Sequence, residues 1–410
     1  MASRTAFQDG QPGMQLGTEA YDPNVSDASA LEPVDCSVLV PAYNEERHIQ
    51  ASVEAMLAQR FPGRLEFLIV DGGSTDRTPA IVRELALRDR RIRLLTNPRR
   101  VTPSGLNVAL GWARGRWVAR MDAHTEYRDD YLKQGVERLG NGGTRWVSGL
   151  AVAHGQGEVS RAVALALKGP LGRGGSRKWV AEQGPDREYE LDSGVFAGVW
   201  ERSTLLEYGG WDEHWRRNQD SEMAGRFLAR GEKLVLVPAM AAAYSPRDSV
   251  PALWRQYYGY GVYRTRTAAR HPHTMRRSHV LAPGIALALV MSSFGRTRAS
   301  RVARAGVSGY LVALGAAAIR AVPDAVRPID AALVPVVLAT MHLSYGTGAW
   351  IQAARTGPPL AAIARICGLN RLAERLAPAP SEVYAPSLAE ALRESMAHAA
   401  ADVAASSSAD

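Results

Sequence analysis

CSVLVPAYNEE (residues 36–46) and LEFLIVDGGSTD (residues 65–76) are the two stretches that set the architecture. Each is a short apolar run that stops abruptly in polar residues. Cys36–Val40 ends at Pro41, and Leu65–Val70 ends at Asp71, Gly72 and Gly73. Their length and punctuation are those of buried strands. Between them Glu46–Gln59 places Ile49, Val53, Met56 and Leu57 on one face, the pattern of an amphipathic helix. The alternation continues. A helix opened by Thr75 or Asp76, with Pro79 tolerated in its first turn, runs to about Arg88. Arg91–Leu95 reads as a strand, Ser104–Ala113 as a helix and Trp117–Met121 as a fourth strand. Strands alternating with helices of this length imply βαβ units and an α/β fold with a mostly parallel sheet. Ligands of such sheets sit beyond the carboxyl ends of the strands. That rule gathers Tyr43, Asn44, Glu45, Asp71 and Asp122 along one edge.

Outward from this core, composition sets limits. The chain has 410 residues, 46% hydrophobic and 22% charged, which excludes wholesale disorder and allows a large core. The net charge of +8 is uneven: Arg255–Arg304 contains many arginines and no Asp or Glu. Such a stretch suits phosphates, in a ligand or a lipid headgroup layer; nothing like a zinc finger or an aromatic-interleaved groove points to nucleic acid. Cys36 and Cys367 are too few and too far apart for a disulfide framework or a cysteine zinc site. Residues 1–33 are polar and rich in Gly, Pro and Ser, and read as a disordered leader without a secretory signal.

The second half is less regular. A helix is expected over Asp220–Ala229, a strand over Lys233–Val237, and a basic, aromatic helix over Trp254–Arg270. Three apolar stretches follow at 279–294, 305–319 and 329–351, of which the third alone reaches the roughly 20 residues a bilayer span needs. The expected organisation is a leader (1–33), a catalytic domain (34–270), membrane-associated helices (271–355) and an Ala-rich, partly disordered tail (356–410).

Four motifs carry chemistry. VLVPAYNEE (38–46) and LIVDGGSTD (68–76) offer polar groups at two strand ends, where backbone and carboxylate suit a nucleoside; an acidic residue before Gly-Gly is also often a capped turn. In RWVARMDAH (116–124) an apolar strand runs into Asp122, which can hold a divalent cation against a diphosphate, with His124 as a second ligand or a hydrogen-bond donor. In RNQDSEMAGR (217–226) Asp220 and Glu222 open a helix; they serve as simple helix caps or as a general base.

Taken in this order and at these separations, the motifs resemble glycosyltransferase family 2, over roughly residues 35–270, and most closely its succinoglycan-biosynthesis glucosyltransferase branch. MDAH stands at the family's metal motif and QDSEMAGR at its acidic motif; DSGVFAGVWERSTLLEYGGWDE (192–213), RQYYGYGVYRTR (255–266) and HLSYGTGAW (342–350) are similar to later segments of that branch. The resemblance implies a GT-A catalytic domain followed by a membrane-associated helical region. It implies inverting transfer from a nucleotide-sugar, a UDP-hexose, to a hydroxyl of a lipid-linked saccharide in polysaccharide synthesis, at the cytoplasmic face of the membrane. Pro41, Ala42, Tyr43, Glu45, Asp71, Asn107 and Asp122 would bind the donor. Asp122 and His124 would hold Mg²⁺ or Mn²⁺, and Asp220 would be the base. Asp192, Glu222, Arg255, Gln256 and Arg264 would meet the acceptor or the diphosphate. Two departures stand out: His124 replaces the metal motif's second aspartate, and Gln219 replaces the glutamate before the base. They motivate a rival, a catalytically inactive membrane scaffold of the same fold. No QxxRW motif follows Gln256, which favours a single transfer over polymerisation.

Overall fold

Strand β1 (Cys36–Ala42) sits inside the sheet because both its faces are apolar. Val38 and Val40 pack on Ile49, Val53 and Met56 of helix α1 (Ile49–Leu57) and on Val82 and Leu85 of α2 (Thr78–Arg88); Leu39 points the other way, into a cluster with Leu106, Ala109 and Leu110 of α3 (Thr102–Trp112). β1 pairs in parallel with β2 (Leu65–Asp71) and β4 (Trp117–Arg120), and β2 with β3 (Ile92–Thr96). The computed structural model describes residues 33–179, 187–193, 195–295 and 297–378. Most of the expected leader and the tail from 379 onward lie outside the described residues.

The sheet is mixed and, by length of pairing, mostly parallel. It adds β5 (Glu126–Tyr127), β6 (Trp146–Ala153), β7 (Tyr189–Leu191), β8 (Gly198–Glu201) and β9 (Leu234–Tyr244). The order is β3-β2-β1-β4-β8-β6-β9-β5, with β7 on β9. β8 runs antiparallel to both β4 and β6, and β6 parallel to β9. Helices α4 (Tyr131–Gly140), α5 (Glu158–Lys168), α6 (Pro170–Arg173), α7 (Arg202–Glu207) and α8 (Gln219–Ala229) join these strands.

A long helix, α9 (Val250–Arg270), leads into α10 (Leu281–Ser292), α11 (Arg298–Ala321), α12 (Pro328–Ala332) and α13 (Val334–Thr356). Two short helices, α14 (Leu360–Ile366) and α15 (Asn370–Leu376), follow. Leu314, Val337, Leu338 and Met341 form one apolar cluster with Ala162 and Val163 of α5 and Leu253 of α9, so the C-terminal helices pack directly on the α/β domain. The expectation that only the third apolar stretch is long enough to span a bilayer is corrected. Among the described residues two helical segments, Arg298–Asp324 and Pro328–Thr356, have the length and composition to cross. Arg298, Arg301 and Arg304 are helical themselves and lengthen the second stretch at its N-terminal end. Only 11% of the apolar window of the first segment is buried in the protein, against 56% of the second.

Candidate active site

The loops after β1 and β2 are bound to each other. The Asn44 N–H donates to Ser74 Oγ at 2.9 Å, and the Thr75 N–H to Asn44 Oδ1 at 2.8 Å. The Glu45 N–H donates to Thr78 Oγ1 at 2.8 Å and the Glu46 N–H to Asp76 at 3.1 Å. The Asp71 carboxylate accepts from the backbone N–H groups of Gly73 (3.1 Å) and Ser74 (3.2 Å), closing a turn in which Gly73 takes φ +80°. That φ favours glycine at this position. Tyr43 stays 59% exposed, an aromatic face at the mouth of a cavity of about 690 Å³.

That cavity brings together Pro41, Ala42, Tyr43, Glu45, Asp122, His124, Asp220, Gln256 and Arg264. At its floor lies Arg120, the last residue of β4, 6% exposed. Its Nε donates to Asp122 Oδ1 at 2.8 Å and its Nη1 to Asp220 Oδ1 at 2.7 Å. Burial opposes the guanidinium's charge, but the two carboxylates outweigh it and raise its pKa. Burial likewise opposes ionisation of Asp122, and Arg120 and then His124 overcome it, holding the carboxyl below its usual value. The hydroxyl of Tyr127 accepts the Asp122 N–H at 2.7 Å, and Trp211 Nε1 reaches Asp220 Oδ1 at 3.4 Å. His124 Nδ1 lies 2.9 Å from Glu45 Oε1; that hydrogen bond, opposed by burial and aided by Asp122, raises the imidazole's pKa.

Other expected residues lie elsewhere. Asp71 borders the cavity only through its neighbours Val70 and Gly72. Asn107 is buried and fully committed, donating to Trp211 O (2.8 Å) and Glu213 Oε1 (3.0 Å) and accepting the Trp211 N–H (2.9 Å). Glu222 faces inward from α8 onto Arg226 (3.0 Å) and His271 (3.1 Å). Asp192 pairs with Arg276, and Arg255 points from α9 into solvent. What sequence reading missed is Arg120, Lys178, Arg276 and His279, all lining the cavity, together with Met341, His342 and Tyr345 contributed by α13. A charge at position 120 inside an otherwise apolar strand was the available signal for the first; nothing local marks the rest.

Comparison with known proteins follows the same lines. Residues 37–186 match the model of glycosyl transferase family 2. The succinoglycan biosynthesis protein ExoA of Rhizobium meliloti (strain 1021) is 31% identical over 237 residues, 57% of this chain and 70% of that protein. The chain belongs to glycosyltransferase family 2. This glycosyltransferase is also 39% identical over 88 residues, 21% of its length and 34% of the relative's, to the Escherichia coli UDP-Glc:alpha-D-GlcNAc-diphosphoundecaprenol beta-1,3-glucosyltransferase WfgD. Among solved structures, the mannosyltransferase PcManGT from Pyrobaculum calidifontis, in complex with GDP-Man and Mn²⁺, superposes with a TM-score of 0.53 at 20% identity, covering 79% of this chain and 88% of that one. The glycosyltransferase shares that fold, a GT-A type α/β domain with a helical C-terminal region.

Proposed function

We propose that the enzyme performs inverting, metal-dependent transfer of a hexose from a UDP-sugar to a hydroxyl of a lipid-linked saccharide. The observation that carries this reading is the Asp122–Arg120–Asp220 bridge, which fixes two carboxylates side by side in one cavity. Tyr43 offers a ring for base stacking, and the Asp71 carboxylate has lone pairs left for a base N–H or ribose hydroxyl. Relatives add support: one is named for UDP-Glc and a diphosphoundecaprenol-linked sugar, and PcManGT was solved with GDP-Man and Mn²⁺.

The residues fit a divalent cation. Asp122 Oδ2 and His124 Nε2 accept or donate no hydrogen bond to protein among the described residues, and both side chains line the cavity. No group of three His, Cys, Asp or Glu converges among the described residues. Such a set suits Mg²⁺ or Mn²⁺ held by one or two side chains with substrate phosphates completing the shell. When bound, the ion would neutralise the charge of the departing diphosphate. Asp220 Oδ1 is anchored by Arg120, which leaves Oδ2 to take the acceptor's hydroxyl proton. The acceptor oxygen forms its bond to the anomeric carbon as the bond to the diphosphate oxygen breaks, and the electron pair leaves with the diphosphate. A single displacement inverts the anomeric centre. Two apolar helices against the domain support work at a membrane, and we assign it to the cytoplasmic face.

The test is nucleotide release from a panel of UDP- and GDP-sugars with Mn²⁺ and acceptor, for the wild type, Asp122→Ala and Asp220→Asn. Asp220→Asn should lose about two to four orders of magnitude in kcat while still binding donor. Asp122→Ala should lose metal-dependent release. Metal-independent turnover, or an active Asp220→Asn, would remove these assignments.

A further inference from the structure

Beyond the paired carboxylates, the cavity holds a second group, three cations and a neutral imidazole donor. Lys178, Arg264, Arg276 and His279 all line it. Their only carboxylate partner by direct contact, among the described residues, is Asp192 on Arg276. Arg264 projects from α9 and spends its guanidinium on two hydroxyls, Ser193 Oγ at 3.3 Å and Ser221 Oγ at 3.0 Å. Lys178 Nζ reaches only the Val195 carbonyl, at 3.5 Å, and lies 4.8 Å from the ring of Trp179. The N–H of Arg276 donates to His279 Nδ1 at 3.2 Å, so the neutral imidazole carries its proton on Nε2 and can donate. Cations withdrawn from water without an anion are costly, and a bound anion removes that cost.

The position of the cluster says which anion. Arg264 holds the hydroxyl of Ser221, the residue next to Asp220 on α8, and Asp220 is the carboxylate that acts on Lys178. Burial, offset by Asp220 and reinforced by Arg264 and Arg276, pushes the Lys178 ammonium down to about 8. The cluster therefore stands at the general-base end of the cavity. Tyr345 of α13 acts on Arg264, and the cavity wall there continues as Leu281, Ala282 and Met341. Past that wall α10 exposes Leu287, Leu289 and Val290. A cationic pocket that opens onto an apolar wall matches an amphiphile with phosphate at the junction.

We propose that Lys178, Arg264, Arg276 and His279 form a phosphate subsite distinct from the donor's. It takes the phosphate or diphosphate of a polyprenol-type lipid carrier, with the hydrocarbon against Leu281 and Met341 and the carried saccharide toward Asp220. The assignment rests on the transferase reading above and names the acceptor's anion-binding residues.

The experiment is calorimetry on the full chain in detergent micelles, with farnesyl diphosphate as probe, titrated after saturation with Mn²⁺ and whichever of UDP or GDP binds. Farnesol and inorganic pyrophosphate are run in parallel. Farnesyl diphosphate should bind the nucleotide-saturated protein, and more tightly than either parallel probe. Lys178→Gln and Arg264→Gln should each weaken it by tenfold or more. Nucleotide affinity should stay within about twofold, which also shows that the variants fold, and Lys178→Arg should recover most of the loss. Displacement of farnesyl diphosphate by the nucleotide, or loss of nucleotide affinity in the variants, would assign the cluster to the donor's diphosphate and overturn the proposal. Equal binding of farnesol would overturn it in favour of apolar recognition alone, and tighter pyrophosphate binding in favour of a free-phosphate site. Farnesyl diphosphate binding without any UDP or GDP binding would leave the subsite standing and sink the transferase reading instead.

Discussion

Arg120 is the residue on which the site turns. A guanidinium can present separate N–H groups to two carboxylates in fixed directions, which an ammonium on a flexible stem cannot. Arg120→Met would leave Asp122 and Asp220 close together, partly buried and without their cation. Breaking a buried ion pair from one side costs about 3–5 kcal/mol, so unfolding by denaturant should show a loss toward the lower end of that range, along with at least tenfold lower kcat. Arg120→Lys should keep most of the stability and still lose activity; full activity in either variant would argue against a positioning role. Glu222 makes a different prediction. Burial disfavours its ionisation, but Arg226, His271 and Arg270 overcome this and bring its carboxyl down from 4.5 to about 2. A folded-state value below the unfolded one adds stability above pH 4.5 that is lost as pH falls toward 2. Glu222→Gln should therefore be less stable than the wild type at pH 7, with the gap narrowing below pH 4.5; thermal melts of both at pH 7 and pH 3 measure it, and a constant gap would contradict the ion-pair account. Asp122, His124 and Asp220 were legible in the sequence because each follows a strand or opens a helix in a motif. Asn107 and Glu222 stood in the same motifs, yet their side chains turn inward, and no motif encodes that choice.

Among the elements, the contact of α9 with α13 ties the catalytic domain to the apolar helices. It is built from glycines in register. A Cβ on Gly261 of α9 would lie 2.0 Å from the Tyr345 carbonyl oxygen, and one on Gly348 of α13 would lie 2.2 Å from that of Tyr258. Small residues let the two backbones touch, as they do in close helix pairs generally. Gly348→Leu should force the helices apart, lower stability by about 1–3 kcal/mol and reduce transfer to a lipid-linked acceptor. Nucleotide binding should persist, because the loops after β1 and β2 are held by hydrogen bonds to each other. Gly315→Leu on α11, where nothing lies within 4 Å, is the control and should be silent in thermal melts and transfer assays alike. A silent Gly348→Leu would show that the seam does not organise the acceptor side. The strands and helices up to β4 were readable because period and punctuation are local properties. The placing of β8 between β4 and β6, and the extension of β9 to Tyr244, were not, since neighbours in a sheet are chosen by packing across the whole domain.

For the whole molecule, the decisive surface is that of α11, which leaves Val302, Leu311, Val312 and Ile319 each at least 60% exposed. Apolar side chains exposed on several sides of a 24-residue helix are costly in water and suit hydrocarbon. The protein should stay in the membrane pellet through a wash in roughly 1 M salt, which screens surface charge, and through alkaline carbonate, and leave only with detergent. Leu311→Arg combined with Val312→Arg should shift it toward the soluble fraction, and release of the wild type by salt alone would mean that its arginines, not its helices, hold it there. The sequence by itself determined the α/β domain, its family and the strand ends where chemistry gathers, because hydrophobic period and motif spacing are written along the chain. Only the tertiary structure decided that Arg120 joins Asp122 to Asp220, that Lys178 and Arg264 share a cavity with residues of α13, and that α11 rather than α13 carries the more exposed apolar face. Each of these depends on side chains distant in sequence meeting in a space whose burial and charge come from all of them together.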